Sequence, residues 1–173
     1  LLEPKIKNRS RLFYQMANIQ ASNLKGKNNW AVLLDPDGFL TEGTGDNIFL
    51  VKNNKIYTPE PRNILVGISR NYIFDLAKEL DIEVIEKNLE EYDAINCDEF
   101  FMTATPFCIL PVFKFNFHKI SSKIGPVTQE LHDLWSKKVG LNIWDQIKEF
   151  SNECRADKVS APTPYIFNTE VNS

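Results

Sequence analysis

The stretch LTEGTGDNIFLV, residues 40–51, decides how this chain is read. Gly43 and Gly45, two positions apart, suggest a loop that cradles a phosphate. Such a loop leads into a helix, whose free amides hold the anion. Here Ile48, Phe49, Leu50 and Val51 follow instead, and β-branched and aromatic residues favour a strand. A single carboxylate, Glu42, stands just before the glycines. An acid at the mouth of a loop that feeds a strand needs a purpose other than holding a nucleotide.

The neighbouring segments supply a fold. Upstream, Trp30–Leu34 is a short apolar run that meets the turn Asp35-Pro36-Asp37-Gly38, and Phe39-Leu40-Thr41 resumes extended chain. Residues 30–41 therefore read as a hairpin. Ile48–Lys52 and Lys55–Thr58 form a second hairpin about Asn53-Asn54, and Pro59 and Pro61 then force a loop. Residues 10–22 (SRLFYQMANIQAS) read as a helix, with Leu12, Met16 and Ile19 at helical spacing beside Phe13 and Ala17. A second helix opens after Gly67 and runs over about 69–80, its apolar face being Ile73, Leu76, Ala77 and Leu80. Ile82–Ile85 and Glu99–Thr103 read as strands, and Glu90–Ala94 as a short turn or helix. Pro111–Phe117 reads as extended, and Gly125-Pro126 precedes a third helix over about 128–139. From Ser151 the chain turns polar, with Pro162 and Pro164, so 151–173 reads as a loosely ordered tail behind a domain over 1–150. No internal repeat is visible. Many short strands with a few helices predict an α+β domain on a curled, mostly antiparallel sheet.

Bulk properties narrow the function classes. The 173 residues fit one domain or one and a half. A net charge of −3 gives no reason to expect nucleic acid or an anionic membrane as partner. No apolar run approaches the ~20 residues that span a bilayer, and no signal peptide is visible. Cys97, Cys108 and Cys154 are odd in number and lack metal spacing; they read as reduced thiols of a cytoplasmic protein. The first residue is Leu1 and the helix–strand pattern begins almost at once, which suggests a processed chain or a piece of a longer one.

Four segments can carry chemistry. In Gly67-Ile68-Ser69-Arg70, a glycine before a helix lets a ligand approach the first-turn amides, which attract an anion. Taken alone, the segment is equally an ordinary glycine turn with a serine N-cap. Met102-Thr103-Ala104-Thr105-Pro106 ends a strand with small hydroxylated residues that suit a phosphate or carboxylate, or simply a turn. Glu42 could hold a cationic nitrogen by a charge-assisted hydrogen bond, or sit solvated. Lys7, in Ile6-Lys7-Asn8-Arg9-Ser10-Arg11-Leu12, would need burial to act as a catalytic amine. His118 and His132, the only histidines, are far apart; they offer neither a metal triad nor a Ser-His-Asp arrangement.

Each signal is weak alone, but their order is specific. The succession KNRSRL, LTEGTGDNIFLV, IYTP, ILVGISR, LAKELDIEV, DEFFMTAT, LPV and IGPVT closely resembles the C-terminal large domain of the class IV (fold type IV) pyridoxal-phosphate aminotransferases. That group includes the branched-chain and D-amino-acid enzymes. The resemblance runs from about residue 6 to about residue 140, and it implies a pseudo-barrel sheet with flanking helices and pyridoxal 5′-phosphate as cofactor. It matches Lys7 to the lysine that holds the cofactor aldehyde as a Schiff base. Lys7 is preferred to Lys5 because fourteen positions separate it from Ala21, as in the D-amino-acid type. Glu42 matches the carboxylate paired with the pyridine nitrogen. Gly67, Ile68 and Ser69 match the phosphate-binding helix start, Thr105 a second phosphate hydroxyl, and Ala104 a position filled by Gly or Ser in relatives. Arg70 matches an arginine given a supporting role.

The resemblance further implies transfer of an amino group between an amino acid and a 2-oxo acid, in a homodimer. It also has departures. The family's small N-terminal domain has no counterpart here, so the chain reads as a fragment or a cleavage product. Leu12 stands where branched-chain enzymes carry a tyrosine, and Arg11-Leu12 is closer to the aminodeoxychorismate lyases. Pro106–Leu110 differs from the usual polar stretch. Two alternatives therefore accompany the transferase: a lyase of that kind, and an inactive cofactor-binding fragment.

Overall fold

The computed structural model describes residues 3–7, 12–25 and 28–156. Its organising strand is β3 (Asn47–Lys52), the second half of the quoted stretch. β6 (Glu99–Ala104) pairs with β3 residues 47–51, antiparallel, along one edge. The other edge is shared. β2 (Leu40–Gly43) takes it at Asn47, and β4 (Lys55–Thr58) takes it at Leu50–Lys52. Two strands divide one edge, so the sheet splays and curls around Ile48. β1 (Val32–Leu34) extends it beyond β2, and β7 (Cys108–Val112) beyond β6, both antiparallel.

One pairing is parallel. β5 (Val84–Glu86) lies beside β4 with Ile56 opposite Val84. Parallel neighbours need a crossover, and α2 (Ile68–Glu79) supplies it. The mostly antiparallel, curled α+β architecture expected from the sequence is what the chain adopts, and the pairing does not close into a barrel.

Successive residues of a strand point to opposite faces, and both faces of this sheet are covered. That explains the unbroken apolar run of β3. Phe49 and Val51 enter a core with Ile56, Ile73, Leu76, Phe101 and Leu131. Ile48 and Leu50 enter a second core with Leu40, Leu89, Phe100 and Phe107. Phe49 and Phe101 are cross-strand partners and stack with centroids 5.0 Å apart. The first core is roofed by α2, by α4 (Pro126–Val139) and by the start of α5 (Ile143–Ala156). Tyr72 of α2 meets Trp135 of α4 edge to face.

The remaining elements are short. α1 (Leu12–Ser22) covers the described part of the first expected helix; residues 8–11 lie outside the described residues. α3 (Glu91–Ile95) is closed by a capping box between Glu90 and Asp93. The expected extended run 111–117 is divided. Pro111 and Val112 belong to β7, whereas Lys114–Phe115 (β8) folds back on His118–Lys119 (β9) as a small hairpin. α5 was not anticipated. It crosses residue 150 and ends at Ala156, and residues 157–173 of the expected tail lie outside the described residues.

Candidate active site

The turn Gly43–Asp46, closed by the Gly43 N–H donating to the Asp46 carbonyl (3.0 Å), places Glu42 opposite Asn47. Both side chains face a cavity of about 120 Å³. Glu42 is only 5% exposed, and three donors converge on it. The Tyr14 hydroxyl donates to Oε1 at 2.6 Å. The Leu65 N–H donates to Oε2 at 2.9 Å, and Asn47 Nδ2 reaches the same oxygen at 3.5 Å. Asn47 Nδ2 also donates to the Leu65 carbonyl at 2.9 Å. A carboxylate has lone pairs for all of these donors, and charge-assisted bonds of this kind fix its direction.

The two glycines that bracket this arrangement make room for it. A Cβ on Gly43 would overlap the Asp46 carboxyl, and a Cβ on Gly67 would overlap Asn47 Oδ1. Gly67 is also the N-cap of α2, in extended conformation, and no side chain caps the helix. The uncapped first turn opens on the cavity through Ile68 and Ser69. The alternative of a serine N-cap is thereby corrected: the cap residue is Gly67, and Ser69 lies within the first turn.

The structure brings most of the sequence-derived candidates to one wall. Lys7, Glu42, Gly67, Ile68, Ser69 and Thr105 all line the cavity. Lys7 is exposed, so the burial sought for it in the sequence is not present among the described residues. Ile68 is 87% exposed at the rim. Ala104 is not on the wall; its side chain packs in the second core. Arg70 is not there either. It is buried, donates to the Pro59 carbonyl (3.0 Å) and pairs with Glu86 (2.6 Å), bracing α2 against β5.

The sequence reading missed Tyr14, Asp46 and Asn47, which also line the cavity, as does Thr103 of the strand-end segment named above. Asp46 is buried, and among the described residues neither carboxyl oxygen has a hydrogen-bond partner. Burial first, and then the charge of Glu42, push its pKa up to about 7 against the pull of the Gly45 amide. Thr103 sits opposite Asn47 in the sheet with its hydroxyl also unpartnered. Thr44 donates to Asn18 at 2.9 Å and ties the turn to α1.

Other candidate chemistry disperses. His132 is buried in α4, stacked on Trp144 with centroids 3.5 Å apart. His118 lies in the β8–β9 hairpin. No group of three or more potential metal ligands occurs among the described residues. No described helix is long and apolar enough to cross a membrane. Cys97 is buried, and burial pushes its thiol up to about 12, a setting for an inert thiol.

The profile of the family amino-transferase class IV matches residues 1–115. The chain belongs to that family. A putative branched-chain-amino-acid aminotransferase of Methanocaldococcus jannaschii is 40% identical over 151 residues, 84% of this chain and 52% of that protein. A branched-chain-amino-acid aminotransferase of Pseudomonas aeruginosa is 38% identical over 109 residues, 62% of this chain and 36% of that protein. Among solved structures, the Thermobaculum terrenum branched-chain amino acid aminotransferase, in its PLP form, superposes with a TM-score of 0.75 at 31% identity, over 80% of this chain and 46% of that one. The branched-chain amino acid aminotransferase from Escherichia coli gives 0.65 at 33% identity, over 70% and 42%. The chain thus spans about half the length of the M. jannaschii relative, and less of the P. aeruginosa one.

Proposed function

We propose that this chain supplies the cofactor-holding half of a pyridoxal-phosphate aminotransferase. The reaction is transfer of an amino group between an amino acid, of branched-chain or D-amino-acid type, and a 2-oxo acid. The observation that carries the reading is the Glu42 carboxylate, held by three donors at one side of a cavity that an uncapped helix start also lines.

The residues present fit the cofactor. A fixed carboxylate suits a protonated ring nitrogen. An uncapped N-terminus with Ser69 and Thr105 nearby suits a phosphate. Lys7 brings an amine to the same wall. Bound there, pyridoxal phosphate supplies an electron sink for bond breaking at the Cα of an amino acid. Lys7 would hold the cofactor aldehyde, and its Nζ, once displaced by the amino group of the substrate, would move the proton at substrate Cα as general base and acid. Glu42 would hold the proton on the ring nitrogen. The first turn of α2, Ser69 and Thr105 would hold the phosphate and so fix the ring against sliding. Tyr14, Asn47 and the Leu65 amide keep Glu42 aimed.

A homodimer belongs to the proposal. It is supported by the apolar Leu12, Met16 and Ile19 of α1, all exposed in the single chain; a monomeric mass for the holoprotein in solution would count against it. A cytoplasmic setting is proposed on the odd number of cysteines.

The deciding test is an absorbance scan of the purified protein with added pyridoxal phosphate. A band near the visible edge, shifted by an amino acid and abolished in Lys7→Ala without loss of fold, is expected. No band at all would overturn the reading, and a band that survives in Lys7→Ala would overturn the lysine assignment.

A further inference from the structure

The cavity contains a second carboxyl that the reaction above does not use. Asp46 is 6% exposed and lines the same cavity as Glu42; among the described residues neither oxygen has a partner in hydrogen-bond geometry, and only the Gly45 amide pulls against its proton. Its place is built into the backbone, because Gly43 lacks the Cβ that would fill the space of its carboxyl. Glu42, next to it, takes donors from Tyr14, Leu65 and Asn47. A buried charge without donors is costly, and a like charge beside it adds to the cost. Two carboxyls in such unequal settings divide their roles: the one with donors holds the charge, and the one without holds a proton.

We propose that Asp46 is a second acid–base group of this cavity, which keeps its proton while the cavity is empty and releases it when a cation docks beside Glu42. On docking, the O–H bond of Asp46 breaks, the proton passes to water, and the charge left behind, buried against Gly43, is balanced by the cation beside Glu42. No electron is transferred. The titratable groups that share the cavity with Asp46 are Glu42 from β2, Tyr14 from α1, and Glu3 and Lys7 from the segment before α1. α2 contributes the Ser69 hydroxyl there and β6 that of Thr103, and Thr105, just past the end of β6, adds another. Of these groups, Glu42 acts on Asp46 in the direction of retaining the proton, and burial acts the same way.

Retention of the proton rests on the burial of Asp46, its missing partners and the neighbouring Glu42; its release rests on the cofactor reading, since the docking cation is then the ring nitrogen. The test separates them. Protein labelled with ¹³C at the aspartate carboxyls is titrated by NMR without cofactor. One aspartate with a midpoint near neutrality is expected, and Glu42→Gln should lower that midpoint by removing the like charge. Asp35 and Asp98 are displaced downward and do not interfere. The signal should vanish in Asp46→Asn. If every aspartate titrates in the ordinary carboxylate range or below, or if Glu42→Gln leaves the midpoint in place, the proposal falls. Pyridoxal phosphate is then added in weakly buffered solution just below neutrality. Proton release by the wild type and its absence in Asp46→Asn support the second half. Binding without release overturns it. A near-neutral aspartate in a protein that does not bind pyridoxal phosphate refutes the cofactor reading and leaves the assignment of the proton standing.

Discussion

Glu42 is fixed from three directions, so changing one atom of it separates binding from chemistry. Glu42→Gln keeps the length and the planar head, and Ser69, Thr105 and the start of α2 remain to hold a phosphate. The amide cannot stabilise a proton on a ring nitrogen as a carboxylate does. Glu42→Gln should therefore retain pyridoxal phosphate but lose turnover by on the order of a hundredfold or more, the scale of losing one preorganised electrostatic contact. Spectroscopic cofactor titration beside steady-state kinetics checks it; loss of binding with unchanged turnover per bound cofactor would refute it. Glu42 could be found in the sequence only through the ordered succession of motifs; taken alone it read as a solvated turn residue. Asp46 and Asn47 stood in the same twelve residues and were passed over. Their role depends on the turn that sets Asn47 opposite Glu42, and turn type and register are not fixed by composition alone. Tyr14 was invisible for another reason: it was read with a helix, and its partner lies 28 positions away.

At the scale of elements, legibility followed apolar spacing, even in α1, where Leu12, Met16 and Ile19 are exposed. β3, β4, α2, β6 and α4 were readable because each presents apolar side chains to a core at its own period. α5 was passed over although Ile143, Ile147 and Phe150 recur at helical spacing; its start is set by Asn142, whose side chain accepts the Asp145 N–H at 3.1 Å. The start of α4 shows what holds an element end once tertiary structure forms. Buried Glu99, on β6, accepts the N–H groups of Val127 (3.0 Å) and Thr128 (2.8 Å) and the Thr128 hydroxyl (2.6 Å). Gly125 lets it in, since a Cβ there would overlap the carboxyl. A carboxylate at a helix N-terminus is favoured by both the free amides and the dipole. Glu99→Ala should cost about 2–3 kcal/mol, because it leaves three buried donors unsatisfied. Glu99→Gln, which keeps one acceptor oxygen, should cost less. Urea unfolding of the two variants measures this, and equal losses would show that volume rather than hydrogen bonding holds the end of α4.

For the molecule as a whole, buried titratable groups in separate regions give its stability a shape against pH. Asp46 carries a pKa raised from 3.8 to about 7. Between those values the folded chain keeps a proton that the unfolded chain has lost, so stability falls as pH rises through this window. The full penalty, complete above the folded value, is on the order of a few kcal/mol. His132 acts in the opposite sense. Burial against Trp144 lowers it from 6.5 despite the pull of Asp133, so the unfolded chain takes up a proton that the folded chain refuses. Stability is therefore lost as pH falls below 6.5. Asp35 is held down by the Phe39 and Asp37 amides, Asn63 and Arg62 against its own burial. Asp98 is held down chiefly by Lys52. The contributions of both are present above 3.8 and lost below it, and that of half-exposed Asp98 is small because solvent screens it. The slopes of Asp46 and His132 thus oppose each other just below 6.5, while only Asp46 slopes between there and neutrality. The wild type should be most stable on the acid side of neutrality and weaken toward about pH 8. Asp46→Asn should remove that decline and leave only the rise contributed by His132, so the two proteins diverge most at the alkaline end. Urea midpoints from about pH 4 to about pH 8 would show it; parallel curves for wild type and variant would mean that Asp46 ionises in the folded chain as freely as in the unfolded one.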